Sequence, residues 1–154
     1  MKLTILLLGI LAAGMIAWQD FRDREIHILW LALFGLVGGS GLFLKWGSEL
    51  WILLFPNFLL ISFILFLLVI GTRMYKGVKV MDQQLGWGDV VMLYALACWW
   101  EGLYFLYFYT LSLCLFSLGF LLFQYVGKWE KEAPIPLAGL WSLAFLIVYP
   151  FYHF

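Results

Sequence analysis

Six long apolar runs, separated by short charged or turn-forming segments, leave this chain few ways to fold. The runs are Leu3 to Trp18, Ile28 to Leu44, Leu50 to Ile70, Val90 to Trp100, Gly102 to Val126 and Ile135 to Phe154. Most approach the roughly 20 residues that carry a helix across about 30 Å of hydrocarbon. Lipid offers the backbone no hydrogen bonds, which leaves only helices or a closed barrel. Barrel strands alternate apolar and polar residues over short segments, and these runs do not alternate. The expected fold is therefore all-α: a polytopic membrane protein with about six transmembrane helices. It forms one domain, residues 1–154, with a polar loop at about 71–89.

Composition excludes the competing classes. Hydrophobic residues make up 66% of the chain and charged residues only 12%. A soluble fold of this size cannot hide that much apolar surface. A disordered tail and a nucleic-acid binder with a basic face are excluded on the same ground. Cys98 and Cys114 lie in apolar runs without His or Cys at metal-ligand spacing, so they read as two buried, small apolar side chains.

The fourth run is short. Its 11 residues rise only about 16 Å as a helix. Either it merges with the fifth run through Glu101 and Gly102, or the polar segment before it dips below the headgroups. The second reading is preferred, because it shelters Asp89 at the membrane edge, where irregular backbone is tolerated if it lines a protein cavity. Basic residues orient the whole. Arg22, Arg24, Arg73, Lys76, Lys79, Lys128 and Lys131 fall on one side and Lys2 and Lys45 on the other. The positive-inside rule puts the first group in the cytoplasm and the N-terminus outside. Trp18, Trp46, Trp51, Trp99, Trp100 and Trp129 sit near span ends, as interface anchors do. A cleaved signal peptide is the rival reading of the first run, but the run leads straight into an Arg-rich segment.

Seven of the nine acidic residues read as surface charge. Asp23 and Glu25 sit among arginines, Glu130 and Glu132 among lysines. Glu49 and Glu101 lie in short outer turns, and Asp82 is mid-loop. Asp20 and Asp89 are different. One follows the first span and the other precedes the fourth, on the same expected face of the membrane. Either alone reads equally as a helix cap or a boundary marker. Gly86 and Gly88, flanking Trp87, shift the balance, since a simple cap needs neither positive φ nor close backbone approach. Ionisable groups at membrane depth are costly and point to function.

Two carboxyls a few Å apart cannot both ionise cheaply, so they share a proton. The ionised one deprotonates a water that attacks a peptide carbonyl; the protonated one donates to the developing oxyanion. This is aspartic proteolysis, and it needs no metal or cofactor. A helix N-terminus favours an anion and a C-terminus does not. Asp89 is thus expected to carry more of the ionised state and Asp20 more of the proton, with the pair titrating as a unit.

Three features together resemble the type IV prepilin peptidase family of membrane aspartic proteases. They are Gly86-Trp87-Gly88-Asp89, a G-x-G-D motif opening an apolar run; Asp20 in Asp20-Phe21-Arg22-Asp23-Arg24-Glu25-Ile26; and Pro134-Ile135-Pro136-Leu137-Ala138-Gly139 before the last run. The resemblance covers nearly the whole chain. It implies a multi-pass protein of the cytoplasmic (inner) membrane that removes a short basic leader from prepilin or pseudopilin-like precursors at the cytoplasmic face. Asp20 and Asp89 would be catalytic, with Gly86 and Gly88 supporting. Asp23, Glu25 and Asp82 could attract the leader, opposed by Arg22, Arg24 and Lys79. Beyond substrate and membrane lipid no partner is implied, and no nucleic acid.

The sequence also departs from that pattern. His27 stands where the family usually has proline, and reads as an interfacial loop residue. Val91 stands where a lysine often follows the motif. The cysteine-paired N-terminal region that accompanies N-methylation in many members is not seen, so a compact, protease-only form is expected. Two alternatives stay open. Another G-x-G-D intramembrane protease, similar to presenilins or signal peptide peptidases, would carry Tyr-Asp and Pro-Ala-Leu; here Gln19 precedes Asp20, and Pro-Ala-Leu does not occur. A non-enzymatic transport or assembly subunit would use the two aspartates as caps or as an ion site. Gly35, Gly38, Gly39 and Gly41 are expected to serve close packing of the second span, and Pro56 to shape the start of the third.

Overall fold

The computed structural model describes residues 2–76, 86–125 and 136–153. Among these residues every regular element is helical. The α-helices are α1 (Lys2–Asp23), α2 (Ile28–Trp46), α3 (Leu50–Lys76), α4 (Trp87–Ala97), α5 (Gly102–Tyr125) and α6 (Leu137–His153), with a single 3₁₀ turn at Gly47–Glu49. Three stretches are long and apolar enough to cross a membrane: Leu3–Asp23, Ile28–Gly71, which takes in α2 and most of α3, and Gly102–Gly119. Helices α4 and α6 are apolar but shorter, with 11 and 17 residues. The all-α expectation holds. The count of six crossings is finer than these lengths establish.

The ends of the helices differ from the apolar runs. Helix α1 continues past Trp18 to Asp23, so Asp20 lies inside its last turns instead of after them. Helix α3 continues past Ile70 to Lys76, taking up the start of the expected polar loop; the remainder of that loop, including Asp82, lies outside the described residues. Pro56 sits within α3, where it removes one backbone donor from the helix ladder. Helix α4 begins at Trp87, ahead of Val90, because Gly86 O already accepts the Asp89 and Val90 amides. It stops at Ala97 and does not merge with α5. The Cys98 and Trp99 amides reach back to Ala95 O and Leu96 O, tightening the last turn, and Gly102 opens α5 at φ +32.

Helix α1 packs on α2 and α6, and α4 packs on α2, α3 and α6. Each of the three inner helices turns one stripe inward at helical spacing. On α1 the stripe is Ala12, Ala13, Ile16, Ala17 and Asp20; on α4 it includes Met92, Leu93 and Leu96; on α6 it is Ala138, Trp141, Ser142, Phe145 and Tyr149. Trp99, just past the C-terminus of α4, fills the space between the helices at that end. Its ring lies against Phe34, Phe145 and Tyr149, and its Nε1 donates to Phe34 O at 3.0 Å. Helices α1 and α2 can approach it only because Gly9 and Gly38 lack side chains: a Cβ at either would fall 2.2 Å and 2.6 Å from the indole.

Trp99 and Trp100 are therefore core residues, each 2% exposed, and not interface anchors. Trp18 (62%) and Trp51 (71%) keep the exposed positions that an anchor needs. Trp129 lies outside the described residues. Cys98 is half-buried, but Cys114 is exposed on α5, against the expectation that both are buried.

Candidate functional site

The site forms where the C-terminal end of α1 meets the N-terminal ends of α4 and α6. The Leu140 amide makes the first intrahelical bond of α6, to Pro136 O at 3.0 Å. The Ala138 and Gly139 amides precede it and have no partner within the helix. Both find carboxylates. Ala138 N–H donates to Asp89 Oδ1 at 2.9 Å, and Gly139 N–H donates to Asp20 Oδ2 at 2.6 Å. Consecutive residues sit only about 3.8 Å apart at Cα, so two aspartates 69 positions apart in sequence (89 − 20) are brought to one place by neighbouring peptide groups. Each lies within the other's electrostatic field.

Asp89 is held a second time by its own helix. It occupies the first turn of α4, and its Oδ2 accepts the Gly86 amide at 3.2 Å. That is the reaching-back half of a capping box, with glycine at the cap position supplying no side chain in return. Asp20 is 6% exposed, closed in by α6 and by the stripe of α1 that carries it. It lies at the negative end of its own helix but against the positive end of α6. Expectations drawn from α1 alone missed that second dipole. Arg24, just past α1 with φ 57, adds an attractive charge near Asp20.

The glycines of the G-x-G-D segment act differently from expectation. Gly86 has φ −71 and ψ 148, an ordinary extended conformation, and Gly88 is a normal helical residue. Neither uses positive φ. A Cβ on Gly88 would touch Ile26 Cδ1 at 3.4 Å, a normal contact distance. Gly86 occupies the cap position of α4, so Asp89 lies in the first turn, and neither position needs a glycine for space. Trp87 between them is 64% exposed.

The remaining candidates stay at the surface. Asp23 and Glu25 are exposed, and Asp23 pairs with Arg22 at 3.6 Å. His27 is exposed and caps α2 without using its side chain; its amide takes Gln19 Oε1 at 3.2 Å, which fixes the turn between α1 and α2. Glu49 is exposed, and Glu101 pairs with Lys45. Val91 packs against the apolar core. Among the described residues no group of three or more His, Cys, Asp and Glu side chains is arranged to hold a metal ion.

Two site residues were not singled out from sequence as functional. Ala138 and Gly139 belong to the Pro-Ile-Pro-Leu-Ala-Gly segment, but their contribution is a pair of backbone amides, which residue type does not reveal. The chain matches no protein-family model, no curated protein and no solved structure.

Proposed function

We propose that this protein is a membrane aspartic endopeptidase of the prepilin peptidase type, with Asp20 and Asp89 as its catalytic pair. The observation that carries this reading is the seating of both carboxylates on the consecutive amides of Ala138 and Gly139. Three helix ends and two peptide groups converge on two acids, an arrangement that a boundary marker or a helix cap does not need. A non-enzymatic subunit would use the two acids only to satisfy the first-turn amides of α6.

The chemistry then divides between them. Asp89 accepts two backbone N–H groups, from Gly86 and Ala138. Among the described residues Asp20 accepts at Oδ2 alone. Hydrogen bonds to the charged form favour ionisation of Asp89, while the Arg24 charge favours that of Asp20; on the bond count Asp89 is taken as the anion and Asp20 as the holder of the shared proton. Asp89 takes a proton from water as the water oxygen bonds to the scissile carbonyl carbon. Asp20 gives its proton to the carbonyl oxygen. Asp89 then passes its proton to the amide nitrogen while Asp20 takes one back from a hydroxyl of the tetrahedral intermediate, so the C–N bond breaks and the amine leaves. Six crossings with the N-terminus outside would put the pair at the cytoplasmic face of the inner membrane, where a pilin-like precursor presents its basic leader.

Co-expression with candidate pilin-like precursors tests this. Wild type should remove the leader, while Asp20→Asn and Asp89→Asn, inserted at normal levels, should each lose on the order of 10²–10⁴-fold in rate. Leader removal that survives in either inserted variant would reject the pair.

A further inference from the structure

We infer that Gly139 is a positioning residue for Asp20: the absence of a side chain at this position sets how closely the carboxylate seats on α6. A Cβ at 139 would fall 3.0 Å from Asp20 Oδ2 and 3.0 Å from Phe21 Cε2, with Phe21 Cδ2 at 3.2 Å. The demand is for space and not for backbone freedom, since Gly139 has no positive φ and lies inside α6. The neighbouring position makes the contrast. Ala138 is fully buried and its methyl group is accommodated, although its amide performs the same task for Asp89. The first turn of α6 thus holds a methyl beside one aspartate and would be crowded by it beside the other.

A methyl at 139 must displace something. The Phe21 ring is exposed and can turn away. Asp20 is buried and has less room to yield, and a shift of a few tenths of an ångström lengthens its short 2.6 Å bond to the same residue's amide. The catalytic consequence rests on the proposed peptidase reading. There, a carboxylate moved by a fraction of an ångström misaligns proton transfer without changing the surface that grips the substrate. Such misplacement costs up to about 100-fold in rate and lowers kcat while leaving KM nearly unchanged.

The test uses the full chain in lipid nanodiscs with a precursor that wild type cleaves. Gly139→Ala should lose about 10- to 100-fold in kcat, with KM changed less than about twofold. Gly39→Ala, where a Cβ meets nothing within 4 Å, should cleave as wild type does. Adding Phe21→Leu to Gly139→Ala frees the ring contact but not the carboxylate contact, so the rate should stay low. Wild-type kcat in Gly139→Ala, or full rescue by Phe21→Leu, would overturn the inference while leaving the peptidase intact. An independent readout needs no cleavage. In ¹⁵N-glycine-labelled protein the Gly139 amide proton should resonate far downfield, lose that shift in Asp20→Ala and keep it in Asp23→Ala. A Gly139 signal indifferent to Asp20→Ala would overturn the seating itself. If wild type cleaves no precursor but the signal follows Asp20, the peptidase fails and the positioning stands.

Discussion

At one end of the bundle, Trp99 is enclosed by aromatic rings and by the bare backbone of Gly9 and Gly38; at the other, Asp20 and Asp89 are enclosed by backbone amides. Both places are crowded, and both require small residues on neighbouring helices. Their energetics are opposed. The aromatic end buries large apolar surfaces, and Trp99 Nε1 among them has a carbonyl partner. Helix association in lipid relies on this kind of close packing. The acidic end takes carboxyls out of water, which costs free energy that two or three amide bonds offset only in part. The difference teaches that this fold stores its stability at one end and spends some of it at the other, where the chemistry is proposed.

The comparison breaks most visibly if the aromatic end proves dispensable. Trp99→Ala removes a side chain that touches Phe34, Phe145 and Tyr149 and leaves a hole between α1, α2, α4 and α6. Core Trp→Ala changes cost about 3–5 kcal/mol. Reversible unfolding in mixed micelles should show a loss of that size. A loss below about 1 kcal/mol would mean that stability resides elsewhere.

Asn57 extends the aromatic end into α3 and sharpens the comparison. It is 2% exposed, and its Nδ2 donates to Ala97 O at 3.3 Å and Trp100 O at 2.9 Å. These carbonyls lie at and just beyond the C-terminus of α4, where no further helical turn supplies donors. Asn57→Ala strands two buried acceptors and should cost about 1–3 kcal/mol in the same unfolding measurement. Asn57→Asp, which brings acceptors toward acceptors, should cost more. Equal stability of Asn57→Ala and wild type would show that these carbonyls find other donors.

How much of this was legible beforehand depends on whether a residue's meaning was local. Asp20 and Asp89 were legible because a carboxylate at the edge of an apolar run is costly wherever the chain goes next. The helical class was legible because lipid leaves no other choice for runs of this length. Trp99 and Trp100 were misjudged because tryptophan near a span end suits both an interface and a core; the deciding facts, Gly9 and Gly38, lie on other helices. Gly86 and Gly88 were singled out for a conformation that neither adopts. Asn57 did not stand out, since the carbonyls it serves are 40 residues and more away. Gly139 could not be understood from sequence at all, because what it makes room for is a side chain from the first helix.

The salt bridge between Lys45 and Glu101 ties the C-terminal end of α2 to the turn before α5, with Lys45 Nζ also 5.2 Å from the Trp46 ring centroid. The Lys45 side chain is 53% exposed, so water and salt compete for it. Lys45→Gln should cost about 0.2–1 kcal/mol, and the loss should shrink as salt is raised. A larger cost that salt does not change would make this pair part of the stable end instead of its rim.

The smallest stability effect is expected where the functional effect is largest. Asp20→Asn keeps the shape of the side chain and an oxygen that can accept the Gly139 amide, while removing the expense of a buried acidic group. The hydrogen bond weakens because its acceptor is no longer charged; the desolvation cost falls at the same time. These terms oppose each other, so the unfolding free energy should stay within about 1 kcal/mol of wild type or rise slightly. Cleavage should nevertheless collapse, since an amide can neither share nor release the proton that the proposed reaction needs. Wild-type stability with lost activity would separate the two ends of the bundle as sharply as any single substitution can. A destabilisation near that of Trp99→Ala would instead make Asp20 a pillar of the fold, and the seating on α6 would then be explained by architecture alone.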